Sequence, residues 1–260
     1  MNYNIPLLIT GCIKPYANQK WLYLGDSDIR LKQYIDSVLF YIKYSDFEKI
    51  IFCENSNYPF SPNDIYEIAK SVHKIFEWIS FEGNRELIEK YDKGAGEIEI
   101  VNYALSNSKY LQECDSFAKV TGRLILANVN QIMSNIDQNK NYFLRDIYRH
   151  HLKAVDTRFY IANKKFYLTY LSTCYQSSNT HHKMALEDIF YSILNGNYSP
   201  FPQYFDFHGI SGGNGRNYSK DSNIQKFFVA VFTKLRIYNT LFPIVWVICR
   251  IINKINLTKK

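Results

Sequence analysis

The stretch from Lys93-Gly-Ala-Gly-Glu97 to Phe117-Ala-Lys-Val-Thr-Gly-Arg123 decides the fold. Residues 97–111 repeat apolar side chains at helical spacing. Residues 116–126 form a short apolar run with the length of a buried strand. The same alternation recurs outward. Pro6-Leu-Leu-Ile-Thr-Gly11 is a first strand that ends on glycine, Lys49-Ile-Ile-Phe-Cys53 a second, and residues 76–81 a third. Asp26 to Asp28 offer N-caps for a helix over 29–44, with Leu31, Tyr34, Ile35, Val38, Leu39 and Ile42 on one face. Ser61-Pro-Asn-Asp64 caps a second helix reaching about residue 74. Downstream, the pattern predicts a strand over 155–161 and helices over 163–171 and 187–194. Alternating strands and helices predict an α/β chain with a Rossmann-type, doubly wound, mostly parallel sheet. Its ligands are expected at the carboxyl ends of the strands.

Polar motifs fall at those ends. Thr10 and Gly11 close the first strand, Glu54-Asn55-Ser56 follows the second, Glu82-Gly-Asn84 the third, and Thr121-Gly122-Arg123 the fourth. Each alone is as well explained by a turn; their recurrence along one edge raises the functional reading. Glycines at a helix start suit a phosphate or ribose, so Lys93, Gly94 and Glu97 are candidate donor contacts, Glu97 accepting from a hydroxyl. A plain loop with a first-turn acid explains them equally. Lys119, Thr121 and Arg123 offer cations to neutralise a diphosphate, Arg as a fork and Lys as a point charge. The alternative is a solvated pair flanking a strand. Asp156 and Arg158, two apart, share a strand face and read as a joint ligand contact or as an ion pair.

Glu187, with Asp188 as second choice, opens a helix whose dipole keeps a carboxylate ionised. That suits a general base; ordinary first-turn acids are the alternative. Gly209-Ile-Ser-Gly-Gly-Asn-Gly-Arg216 offers Ser211, backbone N–H groups and Arg216 to close over a diphosphate, or is a flexible linker.

The chain has 260 residues, 47% hydrophobic and 17% aromatic, enough to bury a sizeable core. Its net charge of +7 is uneven. After Asp221 there are no acids and seven bases (Lys226, Lys234, Arg236, Arg250, Lys254, Lys259 and Lys260), so residues 1–221 balance 24 bases against 24 acids. A neutral body argues against a nucleic-acid binder. Five cysteines with no C-x-x-C pair indicate neither zinc nor a disulfide framework. A reducing cytosol fits, and no secretory signal is visible.

Seven motifs in order carry a resemblance. They are Leu8-Ile-Thr-Gly-Cys12, Phe52-Cys-Glu-Asn-Ser56, Phe81-Glu-Gly-Asn84, Lys93-Gly-Ala-Gly-Glu97, Lys119-Val-Thr-Gly-Arg123, Asp156-Thr-Arg-Phe159 and Gly209-Ile-Ser-Gly212. Over residues 5–220 the chain resembles bacterial glycosyltransferases of capsule and O-antigen loci, with a GT-A-type fold. The resemblance implies transfer of a sugar, of galactose type, from a UDP-linked donor to a lipid-linked oligosaccharide, with inversion by a carboxylate base. It also implies an Asp-x-Asp that holds a divalent metal at the strand after the Lys-Gly helix. Here that place reads Lys119-Val-Thr-Gly-Arg123, so side-chain cations, rather than Mn²⁺ or Mg²⁺, are expected to steady the departing UDP. Asp26-Ser-Asp28 precedes the first helix and is read as its cap.

Residues 1–221 thus read as the transferase domain and 222–260 as a basic, amphipathic helical tail. The apolar run 241–249 is too short to span a bilayer. With Trp246 and the basic residues it suits a helix lying on an anionic membrane, which implies a peripheral protein at the cytoplasmic face of the cytoplasmic membrane. A helix docked on the domain or on a partner is the alternative. Two other functions compete: a nucleotide-sugar nucleotidyltransferase, which would carry a more glycine-rich loop than Gly11-Cys-Ile-Lys-Pro15, and a non-catalytic membrane-associated scaffold.

Overall fold

The computed structural model describes all residues except 1–4, 17–21, 135, 148, 150, 178–184, 213–214, 221–222 and 259–260. The first half runs β1 (Leu7–Gly11), α1 (Ser27–Tyr44), β2 (Lys49–Glu54), α2 (Asn63–Ser71), β3 (Ile75–Ser80), α3 (Arg85–Tyr91), α4 (Lys93–Asn107), α5 (Lys109–Gln112) and β4 (Ser116–Thr121). The second half runs β5 (Ile125–Leu126), α6 (Val129–Met133), β6 (Tyr142–Phe143), β7 (Phe159–Asn163), α7 (Lys164–Phe166), α8 (Leu186–Leu194), β8 (Ser199–Pro200), β9 (Phe207–His208), α9 (Asn223–Lys234) and α10 (Phe242–Thr258).

The main sheet has the order β3-β2-β1-β4-β7-β6-β8. The four strands from β3 to β4 are mutually parallel, as the alternation requires. Buried strands with apolar residues on both faces build two cores. Leu7 and Ile9 face one core, with α1, α2 and the tail; Leu8 faces the other, with α4 and α8.

Several expectations shift. The helix foreseen from residue 97 starts at Lys93, because Asp92 caps it by accepting from the Lys93 N–H at 2.7 Å. It breaks at Ser108, which caps the short α5. The run 116–126 is two strands, since Leu124 N–H turns back to Thr121 O at 3.0 Å and β5 joins β9 in a separate two-stranded sheet. Of residues 155–161, Val155 makes only an isolated bridge to Arg145; the strand begins at Phe159 and runs antiparallel to β4. The helix foreseen over 163–171 is α7 followed by a π-type turn over Tyr167–Leu171. Asp26 accepts from the N–H groups of Asp28 and Ile29 at 3.0 and 2.9 Å, so Asp26-Ser-Asp28 is a helix cap.

The direction of β7 positions the site. Its amino end meets the carboxyl end of β4: Val120 pairs with Phe159, and Thr121 N–H donates to Arg158 O at 2.8 Å. Residues 156–158 therefore join the edge that already carries Thr10, Gly11 and Asn55.

In the tail, Val229, Tyr238, Phe242, Val245 and Cys249 are buried in the same core as α1. Tyr238 OH donates to Arg145 O, and Trp246 Nε1 to Arg149 O, each at 2.9 Å. One face of α9 and α10 thus docks on the domain. Phe227, Leu235, Ile244, Val247 and Ile251 are exposed, beside exposed Lys234, Arg236 and Arg250. Among the described residues, no helix is long and apolar enough to cross a membrane.

Candidate active site

A cleft of about 590 Å³ opens at the carboxyl edge of the parallel strands. Thr10, Gly11, Asn55 and Thr121 line its floor. Lys93, Gly94, Gly96 and Glu97 at the start of α4 form one wall; Thr157, Leu186 and Glu187 face the cleft as well. The two helix starts meet closely: a Cβ on Gly94 would lie 3.2 Å from Leu186 Cβ. Ser211 and Gly212 bring in the glycine loop.

Arg123 is one of the cations that line the cleft, with Arg30, Lys93, Arg149 and Arg158. Its guanidinium donates to Gln33 Oε1 at 3.1 Å and lies 5.9 Å from the Tyr34 ring centroid. It packs on Gly212 so tightly that any side chain there would collide with it. Arg30 sits on the same ring, also at 5.9 Å, and donates to Cys12 O at 2.9 Å and Leu24 O at 3.0 Å. Sequence periodicity passes over Arg30. Its signal is a cation one turn ahead of Tyr34 on the buried face of α1. Beside it, burial pushes the Cys12 thiol up to about 11, which keeps it a neutral neighbour.

Lys119 does not reach the cleft. It is fully buried, ion-paired to Glu97 and hydrogen-bonded to Thr157 O at 2.9 Å and Thr121 Oγ1 at 3.2 Å. The expectation that it neutralises a diphosphate is corrected: it stands two residues too deep in β4, and α4 covers it. Gly122 also serves the backbone rather than a ligand. Its N–H donates to Thr10 O at 2.9 Å, and a Cβ would strike that carbonyl. Glu54 is fully buried and binds its own loop, accepting from the N–H groups of Ser56 at 2.8 Å and Tyr58 at 3.0 Å. Ser56 Oγ accepts from Lys14 N–H at 3.0 Å, and Asn84 caps α3 through Leu87 N–H at 3.0 Å. None of Glu54, Ser56 and Asn84 lines the cleft, and neither does Arg216, whose carbonyl accepts from Ser211 N–H at 2.8 Å. Asn55 does line it, and its buried Oδ1 has no hydrogen-bond partner among the described residues.

Asp156 and Arg158 both line the cleft, yet as an ion pair. Asp156 accepts from Arg158 Nε at 2.8 Å and from its NH2 at 2.5 Å, and the guanidinium lies 4.5 Å from each of the Phe207 and Tyr218 rings. Such a stacked, forked pair braces the cleft wall. Glu187 and Asp188 diverge. Glu187 faces the cleft and accepts from Thr157 Oγ1 at 3.2 Å. Asp188 turns to Arg149 NH2 at 3.0 Å and His151 Nε2 at 3.3 Å.

The end of β4, with Thr121 and Arg123 in place of carboxylates, does not fit a divalent cation, which needs several oxygen ligands. Among the described residues, no three His, Cys, Asp or Glu side chains converge as a metal site.

No family model matches the chain, and no curated protein matches it significantly. Solved structures resemble it. The bifunctional glycosyltransferase WbbM is 8% identical over 76% of this chain, with a TM-score of 0.45. The glycosyltransferase GlyE of Streptococcus pneumoniae is 11% identical over 77%, with a TM-score of 0.47. A nucleoside-diphosphate-sugar pyrophosphorylase of Vibrio cholerae is 12% identical over 76%, with a TM-score of 0.43. The chain spans 38% of the WbbM chain and 45% of the GlyE chain, and 90% of the pyrophosphorylase.

Proposed function

We propose that the chain is a GT-A-like glycosyltransferase. It takes a sugar from a nucleotide-sugar, UDP-linked and of galactose type, to a lipid-linked oligosaccharide in capsule or O-antigen synthesis. The observation that carries this reading is one cleft at the carboxyl edge of the sheet that joins Arg123 and a helix start to the facing carboxylate of Glu187. The diphosphate lies over Gly11 and Thr121, toward the start of α4 and Arg123. Backbone N–H groups of the helix start and the guanidinium favour its negative charge. Glu187 accepts the proton of an acceptor hydroxyl as its oxygen attacks the anomeric carbon. The bond from that carbon to the diphosphate oxygen breaks, and UDP departs with the electron pair. Attack opposite the leaving group inverts the anomeric centre. Arg30 fixes Tyr34 and the Cys12 carbonyl beneath the diphosphate, and Arg123 carries the charge that builds on the leaving group.

The exposed apolar and basic face of α9 and α10 suits the surface of an anionic membrane, where a lipid-linked acceptor resides. It supports, as part of the same proposal, a peripheral protein at the cytoplasmic face of the cytoplasmic membrane. Thermal shift with UDP, with and without EDTA, tests the donor reading. The expected result is a rise in Tm that EDTA leaves unchanged. A rise that EDTA abolishes would return the diphosphate to a metal, and no response to any nucleotide would favour a scaffold.

A further inference from the structure

Lys119 brings a full charge to a place with no solvent. A buried ammonium persists only when it is paired and its donors are satisfied. Its three donors meet three acceptors: the Glu97 carboxylate, Thr157 O and Thr121 Oγ1. The face of the Tyr160 ring lies 5.6 Å away. Each acceptor belongs to a different part of the cleft: Glu97 to the first turns of α4, Thr121 to the end of β4, and Thr157 to the segment before β7. Two further bonds extend the cluster. Thr10 Oγ1 donates to the same Glu97 oxygen at 3.2 Å, and Thr157 Oγ1 donates to Glu187 at 3.2 Å. Glu97 keeps 30% of its side chain exposed, toward the cleft it lines.

We infer that Lys119 is a positioning residue. From beneath the floor it holds Glu97 and the segment that bonds Glu187 in one geometry. The two cleft-facing carboxylates then meet sugar hydroxyls of donor and acceptor at a fixed spacing. This rests on the transferase reading above. It reverses the role its place in the sequence suggests, because the charge acts on protein carboxylates and carbonyls and never on the diphosphate. Lys119→Met keeps the length of the side chain and removes the charge. Glu97 then loses its counterion and Thr157 O its donor, and both are free to shift. A misplacement of about an ångström costs turnover on the order of 100-fold. Lys119→Met also removes the bond to Thr121 Oγ1, but the Arg123 guanidinium and the backbone N–H groups of the α4 start, which favour the diphosphate charge, make no bond to Lys119.

The test measures UDP affinity by calorimetry and the hydrolysis of UDP-galactose, UDP-glucose and their N-acetyl forms. It uses the wild type, Lys119→Met, Glu97→Gln and the double variant. The expected result for Lys119→Met is a kcat about 100-fold lower, with KM and UDP affinity within about threefold of wild type. In the Glu97→Gln background the same substitution should cost less than in the wild type, because groups that act as a unit are not additive and only the arm through Thr157 remains to be lost. Should Lys119→Met fail to fold because Glu97 loses its counterion, the double variant removes both charges. Its kcat should lie at or somewhat below that of Glu97→Gln, since the bond to Thr157 O is lost as well. A loss of UDP affinity with kcat intact would make Lys119 a diphosphate ligand, and multiplicative losses would make it independent of Glu97; either overturns the inference alone. A wild type that neither binds UDP nor hydrolyses any of the four sugars overturns the transferase reading itself.

Discussion

Glu187 and Asp188 are neighbours in sequence with different work in the fold. The first turn of α8 sends one to the cleft and the other to Arg149 and His151. Glu187→Gln should lower kcat by about 10²–10⁴-fold and leave UDP affinity unchanged, as expected of a lost general base. Asp188→Asn should instead cost about 1–3 kcal/mol of stability, read by urea denaturation, because it weakens charged hydrogen bonds that tie α8 to the segment before β7. Equal kinetic losses in both variants would count against the division. At this scale, periodicity reads the side of an element but not the depth. Lys119 and Thr121 alternate along β4, so their common side was legible, whereas Arg123, beyond the turn that ends the strand, packs against Gln33 and Tyr34 of α1. Lys119, however, stands opposite Leu8 and Tyr160 in the body of the sheet, whereas Arg123 lies past the strand end. Which of them meets a ligand depends on where α4 lies across the sheet, and that is a long-range fact.

Among elements, the parallel half was legible because its strands are buried runs separated by helices, although the cap expected from Ser61-Pro-Asn-Asp64 is absent, since α2 starts at Asn63 with no side-chain cap bond. The reversal at β7 was not, since an apolar run carries no direction. β6 and β8 are two residues each, too short to show any period. The tail presents a different ambiguity. Phe242, Val245 and Cys249 are buried, while Ile244, Val247 and Ile251 are exposed at the same helical spacing. Both faces of α10 read as apolar, and only the surface offered by the domain decides which one docks. Truncating a buried aromatic leaves a cavity, so Phe242→Ala should cost about 3–5 kcal/mol in chemical denaturation. Ile244→Ser, on the open face, should stay within about 0.5 kcal/mol. Similar costs at the two positions would mean that the open face is also covered.

For the whole molecule, buried neutral acids set an alkaline limit, and the two-faced tail carries the membrane proposal. Burial pushes the Cys12 thiol up to about 11 and the Cys174 thiol up to about 12, and raises the Tyr41 phenol further. Each group holds its proton more tightly folded than unfolded. The stability it contributes is complete below the unfolded value, near 9 for a thiol, and is lost as pH rises through about 11 to 12. Tm should therefore be level near neutrality and fall from about pH 9 upward. A Tm that holds through this window would mean the thiols ionise in the folded state. The proposed membrane association rests on charge and shape together. The stretch beyond Asp221 has seven basic residues and no acid; Lys226 pairs with Asp206 at 2.8 Å, while Lys234, Arg236 and Arg250 are exposed, and the outer apolar residues of α9 and α10 point away from the core. On an anionic surface, each nearby cation contributes about 1 kcal/mol, and insertion of the apolar side chains adds to it. The full chain should therefore co-sediment with phosphatidylglycerol vesicles and far less with phosphatidylcholine. Binding should weaken from about 50 to about 500 mM salt as the screening length shrinks. Combining Ile244→Ser, Val247→Ser and Ile251→Ser should remove vesicle binding while leaving the UDP-induced thermal shift intact. If the triple variant sediments like wild type, or neutral vesicles serve equally well, the outer face of the tail does not bind an anionic membrane.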